Sequence, residues 1–259
     1  MERSRGLNYF FRCINCNFKF RSERIKYSCP KCGDLLDIAY DVEELKELVS
    51  KALLEERSIS VWRYREFLPV KDPSKIVTLG EGGTTLHACK NLGRLLKVER
   101  LLVKNEGENP TGSFKDRGMT VAVSRALEEG AKAVACASTG NTSASLAAYA
   151  AKANIQGIVL IPEGKVALGK LVQAVIYGAK IVQIPGNFDE ALRAVTRFVK
   201  AHPEVCLLNS INPFRIEGQK TLAMEILSQL VSVQLQLNLQ KSLYLEGESL
   251  ENQSLKIPN

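Results

Sequence analysis

The sequence predicts an α/β fold, in which a parallel sheet is covered by helices on both faces, preceded by a small cysteine-rich ribbon. From Leu101 onward, short apolar runs alternate with amphipathic stretches of helical period. Two CxxC pairs lie within the first 32 residues. The 259 residues are 45% hydrophobic and 24% charged, which is typical of a globular protein and excludes disordered, collagen-like and coiled-coil chains.

The N-terminal cysteines predict a structural zinc site. CINC and CPKC are separated by twelve residues, a spacing that lets two knuckles face each other around a tetrahedral ion. Residues 17–28 between them alternate apolar and polar side chains, which predicts a short hairpin. The sequence contains no run of about 18 apolar residues and begins without the pattern of a secretory leader, so we expect a cytoplasmic protein with reduced thiols and no membrane partner. The predicted zinc ligands are Cys13, Cys16, Cys29 and Cys32.

The positive charge is concentrated in the ribbon. The chain carries a formal +7, and residues 1–32 hold eight basic and two acidic side chains, a net +6. Zinc bound by four thiolates would lower this to about +4, a modest attraction for nucleic acid. The sequence therefore favours a solvated basic face over a nucleic-acid site, although basic residues interleave with aromatic ones here: Arg12, Lys19, Arg21, Arg24 and Lys26.

The elements of the body follow in order along the chain. Residues 42–53 have a helical stripe, formed by Val42, Leu45, Leu48, Val49 and Leu53, and predict a helix that links ribbon and body. Strands are predicted at residues 101–104, 133–137, 157–161, 180–185 and 205–209, with helices between and after them. The predicted domains are a ribbon at 1–38, a linker helix and connection at 39–77, an α/β domain at 78–230 and a divergent tail at 231–259.

Lys115 lies in the polar loop NEGENPTGSFKDRG, which follows the first predicted strand. In a parallel sheet, ligands bind at the carboxyl ends of the strands, so such loops are candidate sites. Ser113 can cap the next helix with Asp116 in the capping-box position, which places Lys115 in the first turn. The helix dipole then lowers the pKa of the amine, as a Schiff-base lysine needs. An exposed lysine paired with Asp116 explains the same residues equally well.

Two further loops are suited to anions. ASTGNTSAS follows the second strand, and its amides at 139–142, with the hydroxyls of Ser138, Thr139 and Thr142, can cradle a carboxylate. NSINPFRIEGQK follows the last strand and offers Asn209, Ser210, Asn212 and Arg215 to a phosphate, although helix-capping residues with a solvated arginine would look alike. Neither a Walker loop nor GxGxxG is present, which disfavours nucleoside triphosphates and nicotinamide cofactors.

Four blocks in order, EGENPTGSFKDRG, STGNTSAS, IPEGKVALGK and NSINPFRIEGQKT, resemble the threonine synthases, pyridoxal phosphate enzymes with a tryptophan synthase β-like fold. The resemblance covers about residues 78–230. It implies a lyase that converts O-phospho-L-homoserine and water to L-threonine and phosphate, is a homodimer when intact, and uses pyridoxal 5'-phosphate as its electron sink beside a structural zinc.

The same resemblance implies the role of each site residue. Lys115 is the catalytic lysine that bonds the cofactor, and Asn141 lies beside the ring hydroxyl of the cofactor. The remaining positions would contact the substrate: Ser138, Thr139 and Thr142 its carboxylate, Asn209, Ser210 and Arg215 its phosphate, and Thr84 and Thr85 of GEGGTTL the mouth of the site.

The resemblance stops near Leu230. Residues 231–259 contain only Gly247, so they cannot form the glycine-rich loop that holds the cofactor phosphate in the family. We therefore expect a C-terminally truncated chain that is incomplete in fold and binds pyridoxal phosphate weakly or not at all, with VSVQLQLNLQ as an edge strand. The alternatives are a related β-replacement enzyme, such as cysteate synthase, and a non-catalytic zinc-ribbon protein that binds nucleic acid or a partner.

Overall fold

The computed structural model describes residues 8–164 and 168–231. They form two compact units: residues 8–85 with 104–164 and 168–222, and residues 86–103 with 223–231. Val231 is helical, and the rest of the predicted edge strand lies outside the described residues. None of the helices in the described part of the chain combines the length and hydropathy that a membrane span requires.

The ribbon is a three-stranded antiparallel sheet. Its strands are β1 (Tyr9–Cys13), β2 (Lys19–Phe20) and β3 (Leu36–Tyr40), in the order β2-β1-β3. The predicted hairpin within residues 17–28 is wrong, since β2 pairs with β1 instead. The reason is tertiary: the Ile25 N–H donates to the Glu129 carboxylate at 2.9 Å, and the Tyr27 hydroxyl accepts from the Leu207 N–H at 2.9 Å. This segment therefore packs on the body.

The predicted linker helix is broken into two. Helix α1 (Val42–Leu48) ends before Val49, which is extended at φ −123°, and Ser50 caps helix α2 (Lys51–Glu55) by accepting from the Leu53 N–H at 3.1 Å. Neither helix contains a buried residue, so no packing of the apolar stripe against the body stabilises one continuous helix here. Two short 3₁₀ helices, Val61–Phe67 and Pro73–Lys75, lead to the body.

The first strand of the predicted series is not in the main sheet. The second unit contains β4 (Leu86–Ala88) and α3 (Lys90–Leu96), and β4 pairs with β5 (Leu102–Lys104) in a sheet of two strands. Val103 is exposed, and its neighbours on β5 are only partly buried. A central strand of a parallel sheet is covered on both faces, and this short strand is not.

The main sheet is parallel and confirms the predicted fold class. Its order is β8-β7-β6-β9, and alternate residues of β6 enter two hydrophobic clusters, with Val134 and Cys136 in one and Ala133, Ala135 and Ala137 in the other. Helices therefore cover both faces. The elements run α4 (Lys115–Glu128), β6 (Ala133–Ala137), α5 (Asn141–Lys152), β7 (Gln156–Pro162), α6 (Leu168–Ile176), β8 (Lys180–Ile184), α7 (Phe188–Ala201), β9 (Val205–Leu207) and α8 (Pro213–Gln219), with residues 221–231 also helical.

Two glycines let helices α4 and α8 cross in backbone contact. A Cβ atom added at Gly218 would lie 1.9 Å from the Arg117 carbonyl oxygen, and one added at Gly118 would lie 2.8 Å from the Arg215 carbonyl oxygen. Only glycine allows such an approach. The crossing joins the helix that begins at Lys115 to the helix that carries Arg215.

Candidate active site

Lys115 is the first residue of α4 and is partly buried. Burial lowers the pKa of its amine, and the positive charge of Arg215 lowers the pKa further. The pKa shift has the predicted direction, and its causes in the structure are first desolvation and then a like charge. The Lys115 nitrogen lies 4.1 Å from the centre of the Phe114 ring. Burial and the like charge thus make the neutral amine easier to reach than it is for an exposed lysine, while the ring face stabilises the ammonium form.

The predicted capping box is wrong. Phe114 precedes the helix in a helical conformation without a side-chain cap, and the Ser113 hydroxyl accepts from the Lys115 N–H at 3.3 Å. The Asp116 carboxylate is fully buried and accepts from the Thr111 N–H at 2.7 Å and the Thr111 hydroxyl at 2.6 Å. Among residues 8–164 and 168–231, Lys115 makes no ion pair, so the alternative of a lysine paired with Asp116 is not supported.

Asp116 has a role that the sequence reasoning missed. Its carboxylate also accepts from the Ser145 hydroxyl at 2.6 Å. Ser145 lies on α5, so the carboxylate ties the start of α4 to the helix that follows the STGN turn. The available signal was an acidic residue directly before an apolar helical stretch, where a buried charge must be hydrogen-bonded.

The turn between β6 and α5 leaves several polar side chains available. The Ser138 hydroxyl accepts from the Gly140 N–H at 3.2 Å, and the Ser143 hydroxyl donates to the Gly140 carbonyl at 2.6 Å. Three partly buried side chains make no hydrogen bond to any described residue: Thr139, Asn141 and Thr142. Partly buried polar groups without protein partners, at the start of a twelve-residue helix, are suited to an anionic ligand.

The turn between β9 and α8 is tied to the first turn by Asn209. The Asn209 Oδ1 accepts from the Ala137 N–H at 3.0 Å, and its Nδ2 donates to the Ala137 carbonyl at 2.9 Å. Asn212 caps α8 by accepting from the Phe214 N–H at 2.9 Å. Ser210 is exposed and makes no hydrogen bond within the described part of the chain. Two asparagines therefore shape the turn, and Ser210 is open to a ligand.

Arg215 is buried rather than solvated, which contradicts the alternative that the sequence left open. Arg215 is only 2% exposed, and its Nη1 donates to the Leu208 carbonyl at 3.0 Å. The buried Nε has no hydrogen-bond partner among the described residues. Burial lowers the pKa of the guanidinium. A buried cation with an unmet donor is costly, and a bound anion would offset that cost.

Thr84 belongs to a buried ion-pair network, which the sequence reasoning also missed. Arg117 and Glu106 form two hydrogen bonds of 2.6 and 2.7 Å, and the Thr84 hydroxyl donates to the same carboxylate at 2.7 Å. Burial alone would raise the pKa of Glu106, but the hydrogen bonds from Arg117 and Thr84 lower it overall. Thr85 is exposed, and its N–H donates to the Glu108 carboxylate at 2.7 Å.

The structure brings the four N-terminal cysteines together. Their sulfur atoms lie 3.4 Å apart for Cys13 and Cys32, 3.7 Å for Cys16 and Cys29, and 3.5 Å for Cys16 and Cys32. All four sulfurs lie within 4.8 Å of one another. A tetrahedral zinc with Zn–S bonds of about 2.3 Å separates its ligands by about 3.8 Å. The donor set therefore fits zinc.

Comparison with known proteins agrees with this arrangement. The family model for pyridoxal-phosphate dependent enzymes matches residues 77–236. The threonine synthase of Methanocaldococcus jannaschii is 61% identical over 219 residues, which cover 85% of this chain and 54% of that protein. The threonine synthase of Methanosarcina acetivorans is 52% identical over 223 residues, covering 86% and 54%. The chain thus spans about half the length of these curated relatives.

A solved structure supports the fold. Diaminopropionate ammonia lyase from Escherichia coli in its apo form superposes with a TM-score of 0.56 at 20% identity, covering 64% of this chain and 56% of that chain. At this identity the likeness concerns the fold alone. The family match extends over more than half of the sequence and therefore shows the family. The chain belongs to the family of pyridoxal-phosphate dependent enzymes.

Proposed function

We propose that this chain carries the lysine-bearing part of a threonine synthase, a lyase that converts O-phospho-L-homoserine and water to L-threonine and phosphate. The proposal is supported by relatives of that name at 61% and 52% identity. The observation that carries it is that burial and the charge of Arg215 both lower the pKa of the Lys115 amine. Arg215 is itself a buried cation whose Nε has no hydrogen-bond partner among the described residues. An amine and an anion site are the two groups that this chemistry requires.

The residues of the described turns fit the aldehyde and the ring of pyridoxal phosphate. Lys115 would hold the cofactor aldehyde, and Asn141, whose side chain is free of described partners, would contact the ring hydroxyl. The bound cofactor supplies the electron sink for loss of protons from the substrate carbon atoms. Lys115 would accept and return the proton, and the lowered pKa of its amine makes the neutral form easier to reach than it is for an exposed lysine.

The substrate would be held at its two anionic ends. Ser138, Thr139 and Thr142 lie at the turn proposed for the carboxylate, while Ser210 and Arg215 lie at the turn proposed for the phosphate. Asn209 would act chiefly by joining these turns, because its amide is bonded to Ala137. Thr84 and Thr85 would line the mouth, where the hydroxyl of Thr84 is held by Glu106. A homodimer remains part of the proposal.

We also propose that the four ribbon cysteines bind one structural zinc. A sheet of about 30 residues cannot bury enough apolar surface to be stable alone, and the metal would replace the missing core. Four sulfur ligands within 4.8 Å leave no open coordination position for catalysis. The metal would therefore hold the ribbon together rather than take part in the reaction.

A trapping experiment tests the proposed lysine. The full chain is incubated with excess pyridoxal phosphate, reduced with borohydride and digested, and mass spectrometry then locates the pyridoxyl group. We expect the label on Lys115, its loss in Lys115→Arg, and no change in Lys132→Arg, a control at an exposed position. Reduction traps even weakly bound cofactor. A label spread over the surface lysines would contradict the proposal.

Substrate choice is tested separately. Phosphate release is measured with O-phospho-L-homoserine, and with O-phosphoserine plus sulfite, the substrates of cysteate synthase. Release from the first with formation of threonine supports the proposal. Release from the second alone would assign the chain to the related β-replacement enzymes.

A further inference from the structure

The first ribbon strand packs directly against the residue that precedes Arg215. Phe214 is fully buried, and its ring centre lies 5.9 Å from that of Tyr9 and 5.9 Å from that of Phe11, at interplanar angles of 83° and 80°. Both arrangements are edge-to-face, which aromatic rings prefer. Strand β1 therefore forms one wall around the start of α8.

Two other ribbon side chains contact the same region. The Tyr27 hydroxyl accepts from the Leu207 N–H at 2.9 Å, and the Tyr40 hydroxyl donates to the buried Glu217 carboxylate. Together with the contacts at Phe214, these bonds span residues 207–217. That range includes the whole turn between β9 and α8.

Arg215 depends on its backbone for its position. Its side chain makes one hydrogen bond, to the Leu208 carbonyl, which lies in the same turn, and its Nε has no partner among the described residues. Helix α8 has only seven residues, and Gly218, one turn after Phe214, is in backbone contact with α4. The ribbon and α4 thus both contact the short helix, the ribbon at Phe214 and α4 at Gly218.

From this geometry we infer that Tyr9 and Phe11 are positioning residues for Arg215, acting through Phe214, so that the ribbon keeps the anion-binding guanidinium in place. The inference rests on the proposed function only in taking Arg215 as the anion-binding group. It gives the ribbon a role at the site, although none of its residues is proposed to touch the substrate.

Phosphate binding by the full chain tests this inference. Inorganic phosphate is titrated calorimetrically into wild type, Tyr9→Leu, Phe11→Leu and Tyr9→Phe, with Arg215→Gln as the reference that loses the site. Loss of one edge-to-face aromatic contact should weaken phosphate binding by up to about tenfold. Tyr9→Phe keeps the ring and should bind as wild type does. Lys19→Ala, on exposed ribbon surface, should also leave the affinity unchanged.

The outcomes separate this inference from the proposed function. If Arg215→Gln abolishes binding while Tyr9→Leu and Phe11→Leu bind as wild type does, the ribbon does not position the arginine. If wild type binds no phosphate, or Arg215→Gln binds it unchanged, the anion site and the inference both fail. Thermal melting and metal content show whether Phe11→Leu still folds, and if it does not, comparison of Tyr9→Leu with Tyr9→Phe decides. A purely structural role would lower the melting temperature and leave the affinity of the folded protein unchanged.

Discussion

Gly218→Ala should strongly destabilise the protein. The added Cβ would lie 1.9 Å from the Arg117 carbonyl oxygen, whereas ordinary contacts begin at 3.4 Å, so helices α4 and α8 must separate by roughly 1.5 Å. The neighbouring atoms belong to backbone and cannot rotate away. We expect a loss of about 3 kcal/mol in the free energy of unfolding, the upper end of the cost of overpacking.

Urea unfolding measures this cost. With a slope of about 2.5 kcal/mol/M, the loss corresponds to a midpoint lower by about 1.2 M. Gly118→Ala should cost less, about 1–2 kcal/mol, because its added Cβ would lie 2.8 Å from the Arg215 carbonyl oxygen and 3.0 Å from the movable Gln219 amide. Gly169→Ala is the matched control, since no atom of the described residues lies within 4 Å of its added Cβ.

If Gly218→Ala unfolds at the same urea concentration as Gly169→Ala, the two helices do not cross in backbone contact. The relation between the lysine helix and the arginine helix would then need another explanation.

Three further changes test the site and the ribbon. Asp116→Asn removes a buried carboxylate that accepts three hydrogen bonds, so it should lower the free energy of unfolding by about 2–3 kcal/mol. Thermal unfolding measures this loss, and an unchanged melting temperature would contradict the assigned bonds. Arg215→Gln removes a like charge near Lys115 and should raise the pKa of that amine. Reductive methylation of Lys115, followed peptide by peptide, should then require a higher pH. An unchanged pH dependence would argue against the electrostatic coupling. Cys32→Ser should lose the zinc proposed for the ribbon, measured by atomic emission. Cys89→Ser, outside the cluster, should retain it, and equal zinc in both variants would refute the site.

Local periodicity predicted most of the fold. The apolar runs that became β6 to β9 and the helices between them carry their signal in their own residues. The segment 101–104 was misplaced because a short apolar run does not encode its partner, which is β4. Ile25 and Tyr27 were assigned to a hairpin because their partners, Glu129 and Leu207, are more than 100 residues away.

The candidate site was predictable where a motif named the residue and not where long-range contacts set its role. Lys115 and Arg215 were identified by their blocks, and the structure adds that burial and the charge of Arg215 lower the pKa of Lys115 and that Arg215 is buried. The capping role of Asp116 failed because its carboxylate accepts instead from Thr111 and from Ser145, which is 29 residues away. The pairing of Glu106 with Arg117 depends on how the loop folds back, which spacing alone does not reveal.

The Asn209 side chain pairs with Ala137 much as one further residue of a strand would, through one donated and one accepted hydrogen bond. This bridge fixes the gap between the turn proposed for the carboxylate and the turn proposed for the phosphate. A ligand that carries both charges must match that gap, because neither turn can move toward the other without breaking the bridge. Discrimination by the length of a substrate would then originate in a side chain that substitutes for sheet backbone.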